Sequence, residues 1–125
     1  MLTCRTYVVD DDAAIRDAMQ LELRSYGIDA QAFTSGLEFL AGIDALEPGC
    51  VLLDLTLPGD GLATLRKLIA HPSRFRAVII TGQAEEDQVK RAVDLGAVTC
   101  LRKPFPAETL IEAINEACAQ IGQTK

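Results

Sequence analysis

Two kinds of segment alternate along the chain. Short apolar runs appear at Thr6-Tyr7-Val8-Val9, Cys50-Val51-Leu52-Leu53, Ala77-Val78-Ile79-Ile80 and Val98-Thr99-Cys100-Leu101, with a weaker one at Asp29-Ala30-Gln31-Ala32-Phe33. The strong runs are continuous and rich in β-branched residues. A half-exposed strand would alternate with polar residues, so these read as parallel strands covered on both faces.

Helical patterns lie between the runs. Ile15, Ala18, Met19, Leu23 and Tyr26 form a stripe that stops at Gly27, a good C-terminal stop. Val89, Ala92 and Val93 make a shorter stripe ending at Gly96. Leu110, Ile114, Ala117, Cys118 and Ile121 make the last, with Pro106 and Glu108 suited to its first turn. Weaker helical patterns span 36–41 and 62–70, the second bounded by Pro72, with His71 as a solvated helix-end residue. Five strand–helix repeats joined by right-handed crossovers predict one parallel sheet with helices on both faces, a doubly wound α/β domain.

At 125 residues the chain is one domain's worth, 49% apolar and 24% charged, a globular balance. Folding at this size hides roughly two-thirds of the unfolded surface, so no disulfide or structural metal is required. A net charge of −6 disfavours a nucleic-acid backbone binder and a polybasic membrane anchor. No apolar run approaches a membrane span, and Met1 to Arg5 lacks a signal-peptide core, so a cytoplasmic address is expected. Cys4, Cys50, Cys100 and Cys118 are widely spaced and accompanied by one histidine, which gives no local zinc site and predicts four reduced, mostly packing, thiols. Residues 1–121 are read as the domain and 122–125 as a tail or the start of a linker.

Ligands of such sheets bind beyond the carboxyl ends of the strands, where strand order reverses. The residues at those ends are Asp10-Asp11-Asp12, Asp54, Thr81 and Arg102-Lys103-Pro104. Asp12 reads as a helix N-cap. Converging carboxylates cannot all stay ionised without a counter-charge, and an oxygen-only set suits Mg2+. Lys103 adds a point positive charge and Thr81 a hydroxyl donor. Together these are the parts for phosphoryl transfer to an aspartate.

These residues resemble a known family. Val8-Val9-Asp10-Asp11-Asp12, Leu52-Leu53-Asp54-Leu55-Thr56-Leu57-Pro58, Ile79-Ile80-Thr81-Gly82, Leu95-Gly96-Ala97 and Lys103-Pro104-Phe105 are similar, in order and spacing, to the receiver domain of two-component response regulators. The Ile-Thr-Gly and Lys-Pro-Phe stretches are similar to receivers that precede a LuxR-type DNA-binding domain. The resemblance implies a flavodoxin-like, CheY-like (βα)5 fold of strand order 2-1-3-4-5. It implies that Asp54 accepts phosphoryl from a sensor histidine kinase or phosphotransfer protein. Asp11, Asp54 and the Thr56 carbonyl would ligate Mg2+, with Asp10 acting through water. Thr81 and Lys103 would bind the new phosphoryl group, and small Gly82 would leave the site open. The readout face would run over Glu86 to Leu95, Thr99 to Arg102 and Pro106 to Ile121. It would address a downstream protein, a covalently following output domain or a phosphorylation-dependent homodimer. Such a domain is not an enzyme beyond slow loss of its own phosphoryl group.

Two positions depart from the family pattern. Cys100 stands where a switch Tyr or Phe is usual, and a thiol cannot fill or vacate the same space. Activation would then rest on the loop after Thr81. Pro58-Gly59-Asp60-Gly61 places a glycine three residues after the proline rather than four, with Asp60 read as a solvated turn residue.

Two alternatives use the same parts. A haloacid-dehalogenase-like phosphohydrolase also forms an aspartyl phosphate, but it needs a second carboxylate two residues on, where this chain has Thr56, and a cap insertion. A receiver-like interaction module would bind its partner without phosphorylation.

Overall fold

The computed structural model describes residues 4–55, 61–70, 74–82 and 86–121. Thr56, Pro58 to Asp60, His71, Pro72 and the 122–125 tail, all discussed above, lie outside the described residues.

Five strands, β1 (Arg5–Val9), β2 (Ala30–Phe33), β3 (Gly49–Asp54), β4 (Phe75–Thr81) and β5 (Thr99–Arg102), alternate with five helices. These are α1 (Ala13–Arg24), α2 (Gly36–Ala41), α3 (Gly61–Leu68), α4 (Glu86–Leu95) and α5 (Ala107–Gln120). A short 3-10 turn, Ile43–Ala45, follows α2 and carries no sequence signal of its own. All strand pairs are parallel, in the order β2-β1-β3-β4-β5. The expected doubly wound topology is what the chain adopts.

The period of two along each strand divides the core into two layers. Tyr7, Val9, Val51, Leu53, Ala77 and Ile79 face Phe39 of α2, Leu65 and Leu68 of α3 and Ala92 of α4. Phe39 meets Phe33, Tyr7 and Phe75 edge-on, with ring centroids 5.1, 5.5 and 5.7 Å away. Val8, Cys50, Leu52, Val78 and Ile80 face Leu23 of α1 and Leu110, Ala113, Ile114 and Ala117 of α5. Both faces of β3 are buried along its whole length, which is why its sequence reads as an unbroken apolar run.

The helix patterns hold with local corrections. In α1, Ile15, Met19 and Leu23 turn inward, but Ala18 is exposed and Tyr26 lies past the helix end, 47% exposed. Gly27 closes that end with φ +79, a conformation that favours glycine. Val93 of α4 is likewise exposed, leaving Val89 and Ala92 as the packing residues. Helix α3 begins at Gly61, one residue earlier than its pattern, and Pro106 is the N-cap of α5 rather than its first helical residue.

The expectation of four reduced thiols is corrected. Cys4 and Cys118 form a disulfide, and Cys50 and Cys100 are free. The signal was invisible in spacing because the two partners are 114 residues apart and meet only once the sheet is wound. Among the described residues, no helix is long and apolar enough to cross a membrane.

Candidate functional site

The order of the strands reverses between β1 and β3: the chain moves from β1 outward to β2, then returns to the far side of β1. A crevice opens at such a point beyond the strand ends. Val9 and Leu53 are register partners there, so the next residues, Asp10 and Asp54, emerge side by side. Asp10 is 2% exposed and Asp54 6%, while Asp11 is exposed at the mouth.

Among the described residues, Asp10, Asp11 and Asp54 each offer a carboxylate oxygen within 4.8 Å of the others. The β1–α1 turn is held by the backbone. The Asp10 N–H donates to the Phe33 carbonyl at 3.2 Å, and the Asp12 N–H donates to Asp10 Oδ1 at 3.0 Å. Asp12 Oδ1 accepts from the Ala14 and Ile15 N–H groups at 2.9 and 3.4 Å, so Asp12 is the N-cap its position suggested.

Burial pushes the Asp10 carboxyl up from an ordinary 3.8 to about 6. The Asp12 N–H opposes the rise, the Asp54 charge adds to it, and the Lys103 ammonium opposes it again. Two carboxylates this close in a buried crevice lack enough positive charge of their own. That is the condition a hard, oxygen-ligated cation relieves, and the donor set fits magnesium.

Thr81 ends β4, fully buried, and its carbonyl accepts the Lys103 N–H at 2.9 Å. Lys103 follows β5, is partly buried, and joins Pro104 through a cis peptide bond. Gly82 is exposed, and among the described residues a Cβ there would meet only Lys103 Cδ, at 3.8 Å. Cys100 is partly exposed and pairs in register with Ile79, on the sheet face toward α4. Burial raises its thiol, with Arg102 opposing.

Three contacts of the site carried no sequence signal strong enough to predict. Arg16 Nη1 donates to the Asp10 carbonyl at 2.9 Å, from the second turn of α1. Its spacing, six residues past Asp10, is the only hint in the sequence. Arg102 and Glu86 pair at 3.2 Å, joining the end of β5 to the start of α4. The Phe33 carbonyl that accepts from Asp10 ends β2, which only the sheet topology places beside β1.

Such a fold, with an acidic crevice at its topological switch point and a lysine and threonine opposite, defines a class of phosphoacceptor-like signalling domain. The chain belongs to the response regulator receiver domain family, which matches residues 6–115. Phosphorylation on an aspartate is the standard function of that family. The chain is 38% identical to the transcriptional regulatory protein FixJ of Bradyrhizobium diazoefficiens, over 91% of its own length and 56% of FixJ. It is 35% identical to the C4-dicarboxylate transport transcriptional regulatory protein DctD of Rhizobium meliloti, over 89% of this chain and 24% of DctD. It thus spans about half, or a quarter, of these curated relatives. Among solved structures, FixJ-N superposes with a TM-score of 0.88 at 28% identity, covering 97% of this chain and 98% of that one. Full-length FixJ from B. japonicum gives a TM-score of 0.86 at 36% identity, covering 96% and 60%.

Proposed function

We propose that Asp54 is the phosphoacceptor, receiving a phosphoryl group from a phosphohistidine of a sensor histidine kinase or phosphotransfer protein. The observation that carries this reading is the placement of Asp54, nearly buried at the reversal of strand order, within 4.8 Å of Asp10 and Asp11 oxygens. An Asp54 carboxylate oxygen forms the new P–O bond as the donor's P–N bond breaks, and the electron pair stays on the departing imidazole nitrogen. Asp10, Asp11, Asp54 and the Thr56 carbonyl would hold Mg2+, which neutralises phosphoryl charge when bound. Lys103 pairs with a phosphoryl oxygen and Thr81 hydrogen-bonds another.

The added charge and acceptor oxygens bias the loops after Thr81 and β5 toward the arrangement that satisfies them. That bias reaches the face formed by α4, β5 and α5, which addresses a downstream protein, a covalently following output domain or a homodimer partner. Residues 1–121 act as the receiver and 122–125 as its tail or a linker, in the cytoplasm, without direct nucleic-acid or membrane contact by this chain. The domain turns over no substrate beyond slow loss of its own phosphoryl group.

The test is intact mass after incubation with acetyl phosphate and magnesium, beside an Asp54→Ala control. Addition of one phosphoryl group, absent from the control and without magnesium, is the expected result. An equal gain in the control would overturn Asp54 as the acceptor. Absence of labelling together with absence of magnesium binding would favour an interaction module that works without phosphorylation.

A further inference from the structure

The four cysteines fall into two kinds. Cys50 is buried near the start of β3, where burial alone pushes its thiol up to about 12, and Cys100 packs against the α4-side core. Cys4 and Cys118 are bonded to each other, with Cα atoms 5.5 Å apart.

Their meeting follows from the winding. All five strands are parallel, so each helix returns antiparallel to them, and the last turn of α5 lies over the edge where the strands begin. Cys4 immediately precedes β1, and Cys118 is two residues from the end of α5. The bond therefore sits at the edge of the sheet opposite the acidic crevice. The two sulfurs differ in access: Cys4 is partly exposed, whereas Cys118 is 8% exposed on the inward stripe of α5.

We propose that Cys4 and Cys118 are a reversible thiol–disulfide site, exchanging with glutathione-class disulfides through Cys4, whose bonded state locks the last turn of α5 to the start of β1. The Cys4 thiolate attacks one sulfur of the small disulfide, whose S–S bond breaks and releases one thiolate. The Cys118 thiolate then attacks the Cys4 sulfur and expels the second. Two protein thiols are oxidised to one disulfide, one small disulfide is reduced to two thiols, and the two protons end on the departing thiolates. Apart from the disulfide, the end of α5 is held by the Ile121 N–H to the Cys118 carbonyl at 3.2 Å, by buried Ala117 and Cys118 and by partly buried side chains at 119–121. The disulfide adds a covalent tie to that packing. Any effect on the α5 readout face rests on the reading under Proposed function, but the chemistry and the locking do not.

The experiment equilibrates the unphosphorylated protein across ratios of reduced to oxidised glutathione, quenches with acid, and alkylates the unfolded chain for peptide mass mapping. Alkylated thiols are expected to fall from four to two as the ratio turns oxidising, with Cys4 and Cys118 lost together. Cys118→Ser, or Cys118→Ala if the serine fails to fold, is expected to trap one glutathione on Cys4. Cys4→Ser is expected to trap none on Cys118. Backbone hydrogen exchange over residues 115–121 is expected to slow about tenfold on oxidation. A bond that never forms, a bond that survives every ratio as a permanent staple, a preferred adduct on Cys118, or equal exchange in both states would each overturn the proposal. None of these readouts needs a phosphoryl group, so a failure here and a failure of Asp54 as the acceptor are told apart.

Discussion

The Asp10 and Asp54 carboxylates stand one step beyond the register pair Val9–Leu53, both buried, where the strand order reverses between β1 and β3. Burial, with the nearby Asp54 charge adding to it, holds the Asp10 carboxyl up near 6. Because the folded value lies above the unfolded one, the protonated group stabilises the fold below about pH 4, and that contribution is lost as pH rises through about 6. Metal-free Asp10→Asn should therefore be more stable than the parent near pH 7, by on the order of 2 kcal/mol, with the gap closing below about pH 4. Urea melts in chelator from about pH 4 to about pH 8 read this directly. Parallel curves for the two proteins would remove Asp10 as the source.

Arg16 ties α1 to the turn that carries the acidic residues, through the Asp10 carbonyl. Arg16→Ala should cost about 1 kcal/mol of stability and weaken magnesium binding by roughly three- to tenfold, with Arg16→Lys restoring part of the affinity. Calorimetric titration with magnesium measures the effect. Unchanged affinity would reduce Arg16 to a packing residue.

Gly61 begins α3 against the end of β3, where a Cβ would lie 2.7 Å from the Leu55 carbonyl oxygen and 2.9 Å from its Cα. Backbone atoms cannot yield as a side chain does, so Gly61→Ala must push α3 away from the residue next to Asp54. The expected cost is about 1–3 kcal/mol, with slower labelling by acetyl phosphate. Gly42→Ala, whose Cβ would meet nothing within 4 Å among the described residues, is the control and should label at the parent rate. Denaturant midpoints and labelling time courses separate the two variants.

Cys100 occupies β5 two residues before Arg102, the register partner of Thr81, on the face that packs toward α4. Restoring an aromatic with Cys100→Tyr should change both the rate of labelling and any phosphorylation-linked association, because a ring fills space that a thiol does not. Labelling kinetics with light scattering before and after phosphorylation test this. Identical behaviour in both would show that the position is packing alone.

Much of the fold was legible because burial on both faces writes itself as unbroken apolar runs, as in Cys50 to Leu53. The crevice was legible for a related reason: parallel strands bring all their carboxyl ends to one edge, so the residues after each run are neighbours. Asp10, Asp11 and Asp54 could be grouped on that ground alone. The helix faces were less legible. Tyr26 fits the α1 stripe by spacing, yet the helix stops at Arg24 and turns it into solvent.

Local pattern and chain order were thus enough to determine the alternating elements, the strand-end chemistry and the family they resemble. Tertiary structure alone decided that Asp10 is buried while adjacent Asp11 is exposed, that Arg16 reaches back to the Asp10 carbonyl, and that Cys4 meets Cys118. The physical reason is range. Periodicity and capping are encoded within a few residues, whereas the burial of Asp10 and the Cys4–Cys118 bond arise where distant segments are brought together by the winding of the sheet; Arg16 reaches the Asp10 carbonyl over only six residues, but that spacing alone does not set the direction of its side chain.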